Sequence, residues 1–398
     1  MDQSTVLRKH MFDLPEGVIY LDGNSLGPLP IGAAERGMEV IRSEWGNDLI
    51  RAWNTRGWMN LPGKVGDRIG ALLGAAPGSV ATGDTLSIKV FQALAAALRL
   101  RPERRVILSD SGNFPSDLYM AQGLIDLVGQ GYELRTPAPE GVVAELSGEV
   151  AVVMLTQVDY RTGRLHDMEA ITRRAHEVGA VMIWDLAHSA GALPIDLAAS
   201  QCEFAVGCTY KYFNGGPGSP AFIYVRPDLI EEARPALSGW MGHDAPFAME
   251  RDYRPAMSTE RMRIGTPPIV QLSILDAALD VWDQVDMADL RATSLALTEQ
   301  FIAEVEAQCP QLELVTPRDA TIRGSQVSFR FEHGYAAMQA LIERGVIGDF
   351  RAPDIMRFGF TPLYIDAGDV TKAVRLLSEV INGEHWREER YQARSRVT

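Results

Sequence analysis

The chain has 398 residues, 46% of them hydrophobic and 23% charged, which suits a globular protein of two or three structural units with a large buried core. Asp and Glu outnumber Lys and Arg 52 to 38, and the resulting net charge of -14 argues against sequence-independent binding of nucleic acid, which needs clustered positive charge. No stretch approaches the ~18 uncharged apolar residues of a membrane span, and the first residues lack an apolar leader core, so a cytoplasmic protein without a membrane segment is expected.

In chain order, a short apolar run, GVIYL, leads into DGNSLGPLP at 22–30. Two glycines, two prolines, an Asn and a Ser in nine residues make a turn by composition. TGDTLSIKVFQALAAAL, at 82–98, predicts a long amphipathic helix with Thr85 and Ser87 at its start. From there to about 225 short apolar runs alternate with helical stretches. RRVILSD reads as a strand and PSDLYMAQGLIDLVGQG as a helix opened by Pro115. GEVAVVMLTQVDY reads as a strand, DMEAITRRAHEVGA as a helix closed by Gly179, and VMIWD, CEFAVGC and SPAFIYV as further strands. Apolar strands without alternation, separated by helices, predict an α/β fold with a mostly parallel sheet covered on both faces.

After Pro267 the pattern changes. Two long helices are predicted at 267–285 and 287–308, then strands near 312–316 and 324–331 and helices near 335–345 and 369–382. This is a smaller α+β unit. The expected division is an N-terminal arm, 1–50, packing with the small unit, a large domain, 51–267, and a small C-terminal domain, 268–398. The three cysteines, Cys202, Cys208 and Cys309, lack metal-ligand spacing, and an odd count suits reduced, buried thiols.

Four signals lie where strands end, the place where open α/β sheets bind ligands. Asp185 closes VMIWD after four apolar residues; it suits either a helix N-cap or a carboxylate facing a cationic ring nitrogen, with His188 nearby. Lys211 follows an apolar strand and precedes a loop with Gly215, Gly216 and Gly218; it is either an exposed loop lysine or an imine-forming amine. Phe114 precedes Pro115, with Asp117 two residues further on. It suits a hydrophobic staple or an aromatic stacked on a flat cofactor. Thr85 and Ser87 suit ordinary capping or a phosphate held at a helix N-terminus. Taken together, the four describe what pyridoxal phosphate requires.

These motifs, with YLDGNSLGPLP, FPSD, DLAHSAG, CTYKYFNGGPG, SGWMGHD and RIGTPPI in that order, make the chain resemble the kynureninases, in the aspartate aminotransferase (type I) fold group of pyridoxal-phosphate enzymes. The resemblance runs nearly end to end. It implies a large domain with a seven-stranded, mostly parallel sheet, a homodimer with shared active sites, and hydrolysis of L-kynurenine to anthranilate and L-alanine. It implies that Lys211 carries pyridoxal 5'-phosphate as an imine, that Asp185 pairs with the pyridine nitrogen and that Phe114 stacks on the ring, with Asp117 in the same motif. Leu86 and Ser87 match the phosphate side. Thr156, His188, Tyr210, Trp240 and Thr266 match further cofactor contacts, with Tyr210 also an acid/base candidate. Arg357 matches the clamp for the substrate carboxylate, and Asn24 and Ser25 match residues facing the kynurenine side chain. Lys89 stands where many relatives carry Asn, and Gly265-Thr266 where others carry Ser-Asn. The choice between kynurenine and 3-hydroxykynurenine stays open, and the alternative reading is another reaction on the same fold, that of a cysteine-desulfurase-like lyase or an aminotransferase.

Overall fold

In the computed structural model, which describes residues 6–394, the N-terminal run forms a two-residue strand, β1 (Ile19–Tyr20). Seven strands then build the larger sheet: β2 (Val80–Thr82), β3 (Val106–Leu108), β4 (Glu133–Arg135), β5 (Val150–Thr156), β6 (Val181–Asp185), β7 (Phe204–Gly207) and β8 (Phe222–Val225). Their order is β2-β8-β7-β6-β5-β3-β4. All neighbouring pairs are parallel except those made by β8, which runs against both β2 and β7. The mostly parallel sheet expected from the sequence is therefore present.

Strand residues alternate between two apolar layers. Met182 and Trp184 of β6 enter one core, with Val153, Leu155 and Ala205; Val181 and Ile183 enter the other, with Val152, Met154 and Val206. Each fully buried Val, Leu or Ile contributes on the order of 1.5–3 kcal/mol, so apolar side chains on both faces stabilise a strand that an alternating pattern would not. The helix Leu86–Leu100 covers the second face with Val90, Ala93, Leu94, Ala96 and Ala97, whose small side chains let it lie close to the sheet. The helix Pro115–Val128 starts at the proline, as expected, and Met168–Glu177 is capped by Asp167, whose side chain accepts from the Ala170 N–H.

The C-terminal part holds β9 (Glu313–Leu314), β10 (Gln326–Arg330), β11 (Val346–Ile347), β12 (Asp349–Arg351) and β13 (Ile355–Gly359). Four of them form an antiparallel sheet in the order β12-β13-β10-β9, while β11 pairs in parallel with β1. Phe301, on the helix Met287–Gln308, packs against Phe329, Phe358 and Phe360. The helix expected over 267–285 is shorter: α-helix runs from Ile269 to Ala278 and gives way to a 3-10 turn at Leu279–Trp282. That tighter turn still buries Leu279, Val281 and Trp282, which is why the apolar pattern continues beyond the α-helix.

Candidate active site

The register of the large sheet aligns the ends of β5 and β6, with Thr156 opposite Asp185 and Asp185 opposite Val206 on β7. A cavity of about 260 Å³ opens there, lined by Thr85, Leu86, Ser87, Phe114, Thr156, Asp185, His188, Tyr210 and Lys211, among others. Residues from four separate sequence motifs thus meet at one place.

Lys211 Nζ lies 2.9 Å from His188 Nε2. Burial pushes the His188 pKa down, and the charges of Lys211, Arg357 and Arg351 push the same way, so the imidazole is neutral. Its Nδ1 has no hydrogen-bond partner. Asp185 does cap the following turn, accepting the Ala187 N–H on Oδ1 at 2.8 Å, while Oδ2 lies 3.4 Å from Thr156 Oγ1. Burial raises the Asp185 pKa against the opposing pull of the Lys211 charge. Asp117 is fully buried, and neither carboxyl oxygen has a hydrogen-bond partner. Burial, then the charge of Asp185, drives its pKa up.

Asn113, which the sequence reading did not single out, organises this wall. Its Oδ1 accepts from Thr156 Oγ1 and, at 2.6 Å, from the Phe114 N–H, and its Nδ2 donates to Ser109 Oγ at 3.0 Å. Phe114 is 42% exposed and meets Tyr160 edge-on at 5.0 Å between centroids. On the far side, Thr85 caps the helix Leu86–Leu100 through its backbone only, without a side-chain hydrogen bond. The first N–H groups of that helix are therefore available to an anion. A flat ring with a phosphate at one end and a protonated nitrogen at the other fits these residues: helix start, aromatic face, buried carboxylate and amine.

The turn at 22–30 packs directly on the lysine loop. The Gly27 N–H donates to the Tyr210 carbonyl at 2.8 Å, and Asn214 Nδ2 donates to the Pro28 carbonyl at 3.2 Å. A Cβ on Gly27 would lie 2.2 Å from the Lys211 carbonyl oxygen, so only glycine permits this approach. Ser25 and Leu26 line an adjoining cavity of about 350 Å³ together with Tyr210 and Cys208. Asn24 is instead fully buried, its side chain held so close to β13 that a Cβ on Gly359 would lie 2.2 Å from its Oδ1.

Trp240 and Thr266 do not reach the lysine cavity. They line a separate cavity of about 540 Å³ with Ile50, Trp53, Met59 and Phe247.

Arg357, on β13, is buried beside Asp349 on β12, with Arg351, Ser25 and Asp22 around them. Asp349 and Arg351 went unmarked in the sequence because a three-residue strand gives no readable period, whereas Asp22 opens the turn at 22–30 without having been singled out from it. Burial raises the Asp22 pKa to about 7, from an ordinary 3.8; the charge of Asp349 adds to this, while Ser25, Arg357 and Arg351 oppose it. Tyr20, Tyr212 and Tyr364 also lie within its field. Because the folded pKa is the higher one, Asp22 favours folding at acid pH and loses that contribution as pH rises from about 4 to about 7. Asp22→Asn should therefore gain thermal stability relative to wild type as pH rises through that window. Melting temperatures of both proteins between pH 4.5 and 8 check this, and a difference that does not change with pH would contradict it.

This fold and this lysine site define a pyridoxal-phosphate-type enzyme of the type I fold. A cysteine desulfurase from Thermococcus onnurineus superposes with a TM-score of 0.81 at 17% identity, covering 94% of this chain and 98% of that one. A cystine C–S lyase variant with glycine linked to its pyridoxal-phosphate cofactor gives 0.81 at 18% identity, covering 93% and 99%. Residues 290–377 match the family model described as the kynureninase C-terminal domain. With 52% identity to a kynureninase from Pseudomonas fluorescens over 98% of this chain and 95% of that protein, the chain belongs to the kynureninase family.

Proposed function

We propose that this chain hydrolyses the Cβ–Cγ bond of L-kynurenine to give anthranilate and L-alanine, with pyridoxal 5'-phosphate as cofactor. The observation that carries this reading is the meeting of Lys211, Asp185, His188 and the start of the helix Leu86–Leu100 around one cavity, in a chain 52% identical to a kynureninase. A desulfurase-type reaction needs a reactive, accessible thiol; Cys202 and Cys309 are buried, and Cys208, which borders the adjoining cavity, has its pKa raised by burial.

When bound, the cofactor supplies an electron sink conjugated to the substrate's amino group. Lys211 would hold it covalently at rest and, once released as a free amine by the substrate's amino group, would take the proton from the substrate Cα. Neutral His188 accepts a hydrogen bond from the lysine and orients its amine. Asp185 keeps the pyridine nitrogen protonated, and Asp117, beside it, retains a proton of its own. Leu86 and Ser87 offer backbone N–H groups to the phosphate, and Phe114 covers the ring face. Tyr210, whose pKa burial pushes up, stays a phenol and so donates a hydrogen bond toward the carbonyl where water adds. Ser25, Arg357 and their neighbours bind the α-carboxylate end, with Asn24 packed beneath.

The working unit in this reading is a homodimer. Ile50 is 78% exposed, Phe247 60% and Trp240 43%, an apolar surface of the kind a second subunit covers. Trp240 and Thr266 then reach the phosphate side of the neighbouring site. The arm 1–50 belongs with the small domain, 268–398, around the large domain, 51–267, supported by the pairing of β1 with β11. Three unpaired cysteines suit a cytoplasmic enzyme.

One experiment tests enzyme and assembly together. The purified protein with pyridoxal phosphate should release fluorescent anthranilate from L-kynurenine, and specific activity should fall on dilution together with loss of the dimer. No anthranilate at any concentration refutes the activity; a fully active monomer on gel filtration refutes the shared site.

A further inference from the structure

The guanidinium of Arg357 is already engaged. Nε donates to Asp349 Oδ1 at 2.6 Å, Nη2 donates to Asp349 Oδ2 and, at 3.1 Å, to Ser25 Oγ, and Nη1 donates to the Tyr160 carbonyl. A guanidinium has five N–H bonds, and these contacts take one on Nε, two on Nη2 and one on Nη1. One N–H remains, whereas a carboxylate held by a fork needs two. Releasing Asp349 is not a way out: its side chain is 2% exposed and that of Arg357 1%, so separation strands a buried charge.

A second guanidinium stands next to the first. Asp349 and Arg357 are directly opposite in the antiparallel register of β12 and β13, and Arg351 follows Asp349 by two residues on the same face. Arg351 Nη2 lies 2.7 Å from Asp349 Oδ2 and 3.4 Å from Ser25 Oγ. Its side chain is 35% exposed, so it is open to a ligand where Arg357 is not. Both arginines act on His188, the residue 2.9 Å from the lysine amine. Two cations against the anion of Asp349, with Asp22 neutral below its pKa of about 7, leave one net positive charge, the complement of one carboxylate.

We propose that the α-carboxylate of the substrate is received by Arg351 together with the remaining N–H of Arg357, and that Asp349 is the positioning residue that holds both guanidiniums at Ser25. This rests on the reading of the lysine site as one for an amino-acid substrate. Asp349 is held below the ordinary carboxylate range: burial alone would raise it, but the hydrogen bonds and charge of Arg357, with Arg351, outweigh that. It therefore remains an anion throughout the working pH range and keeps the two cations together.

The test uses the full-length, cofactor-loaded enzyme and two ligands: L-kynurenine, and kynuramine, which has the same amine and aryl ketone without the carboxylate. Arg351→Met should raise the KM for L-kynurenine about tenfold or more, with kcat changed by less than about threefold. The inhibition constant of kynuramine should not move, and Arg351→Lys should recover part of the loss. Asp349→Asn should raise KM in the same selective way. If that variant fails to fold, the half-exposed Arg351 still decides the matter. An active wild type whose Arg351→Met variant keeps its KM, or loses both ligands equally, overturns this proposal alone. A wild type that does not turn over L-kynurenine overturns the underlying reading and this proposal with it.

Discussion

Replacing Lys211 with Ala is expected to lower turnover on the order of 10³-fold or more, with the fold intact. Two proposed roles would vanish at once: the covalent anchor for the cofactor and the base that moves the Cα proton. Proton transfer by a positioned side chain is worth roughly 10²–10⁴-fold by itself. The fold should tolerate the change, because the Lys211 amine bonds to His188, and burial keeps that imidazole neutral without it. The measurement is anthranilate release by wild type and variant at equal cofactor loading, with melting temperatures compared. In the wild type, borohydride reduction and peptide mapping should place the pyridoxyl group on Lys211; finding it on Lys64, Lys89 or Lys372 would refute the assignment.

The second large effect is expected at Asp185. An Asn there keeps an oxygen for the Ala187 N–H, so the local turn survives. What is lost is the negative charge beside the pyridine nitrogen. A charge-assisted hydrogen bond contributes about 2 kcal/mol, so kcat should fall on the order of 30-fold or more. Asp117 is not expected to substitute, since burial, the largest cause of its raised pKa, persists when the Asp185 charge is removed. The cofactor's absorption band should shift as its ring loses the proton. Near wild-type turnover at full occupancy would show that the carboxylate is not needed.

What the sequence revealed, and what it hid, follows from interaction range. Val150–Thr156 and Val181–Asp185 are buried on both faces, so their unbroken apolar runs announced them, and Asp185 stood out as the one charge ending such a run. Lys211 stood out for a similar reason, at the junction of an apolar strand and a glycine-rich loop. The proposed carboxylate end of the site was legible only at Arg357, through family resemblance. Asp349 and Arg351 occupy a strand of three residues, and their significance comes from a partner on β13 and a serine more than 300 residues away, which no local pattern records. Asn113 escaped for the same reason: its amide matters because it meets Thr156, 43 residues on. Trp240 and Thr266 were read as cofactor contacts, yet within one chain they face elsewhere.

The docking of the N-terminal turn has a consequence for how the molecule is made. Ser25 bonds to Asp349 across 324 residues, and β1 pairs with β11 near the same place. A ribosome adding 5–20 residues per second needs roughly 16–65 s to make that stretch. Until β11 and β12 are made, β1 has no partner strand and Ser25 no carboxylate, although the turn at 22–30 can already pack on the lysine loop. The turn therefore completes its docking late in synthesis, once β11 and β12 have been made. A chain ended between the lysine loop and β12 would keep Lys211 but lack Asp349, Arg351 and Arg357.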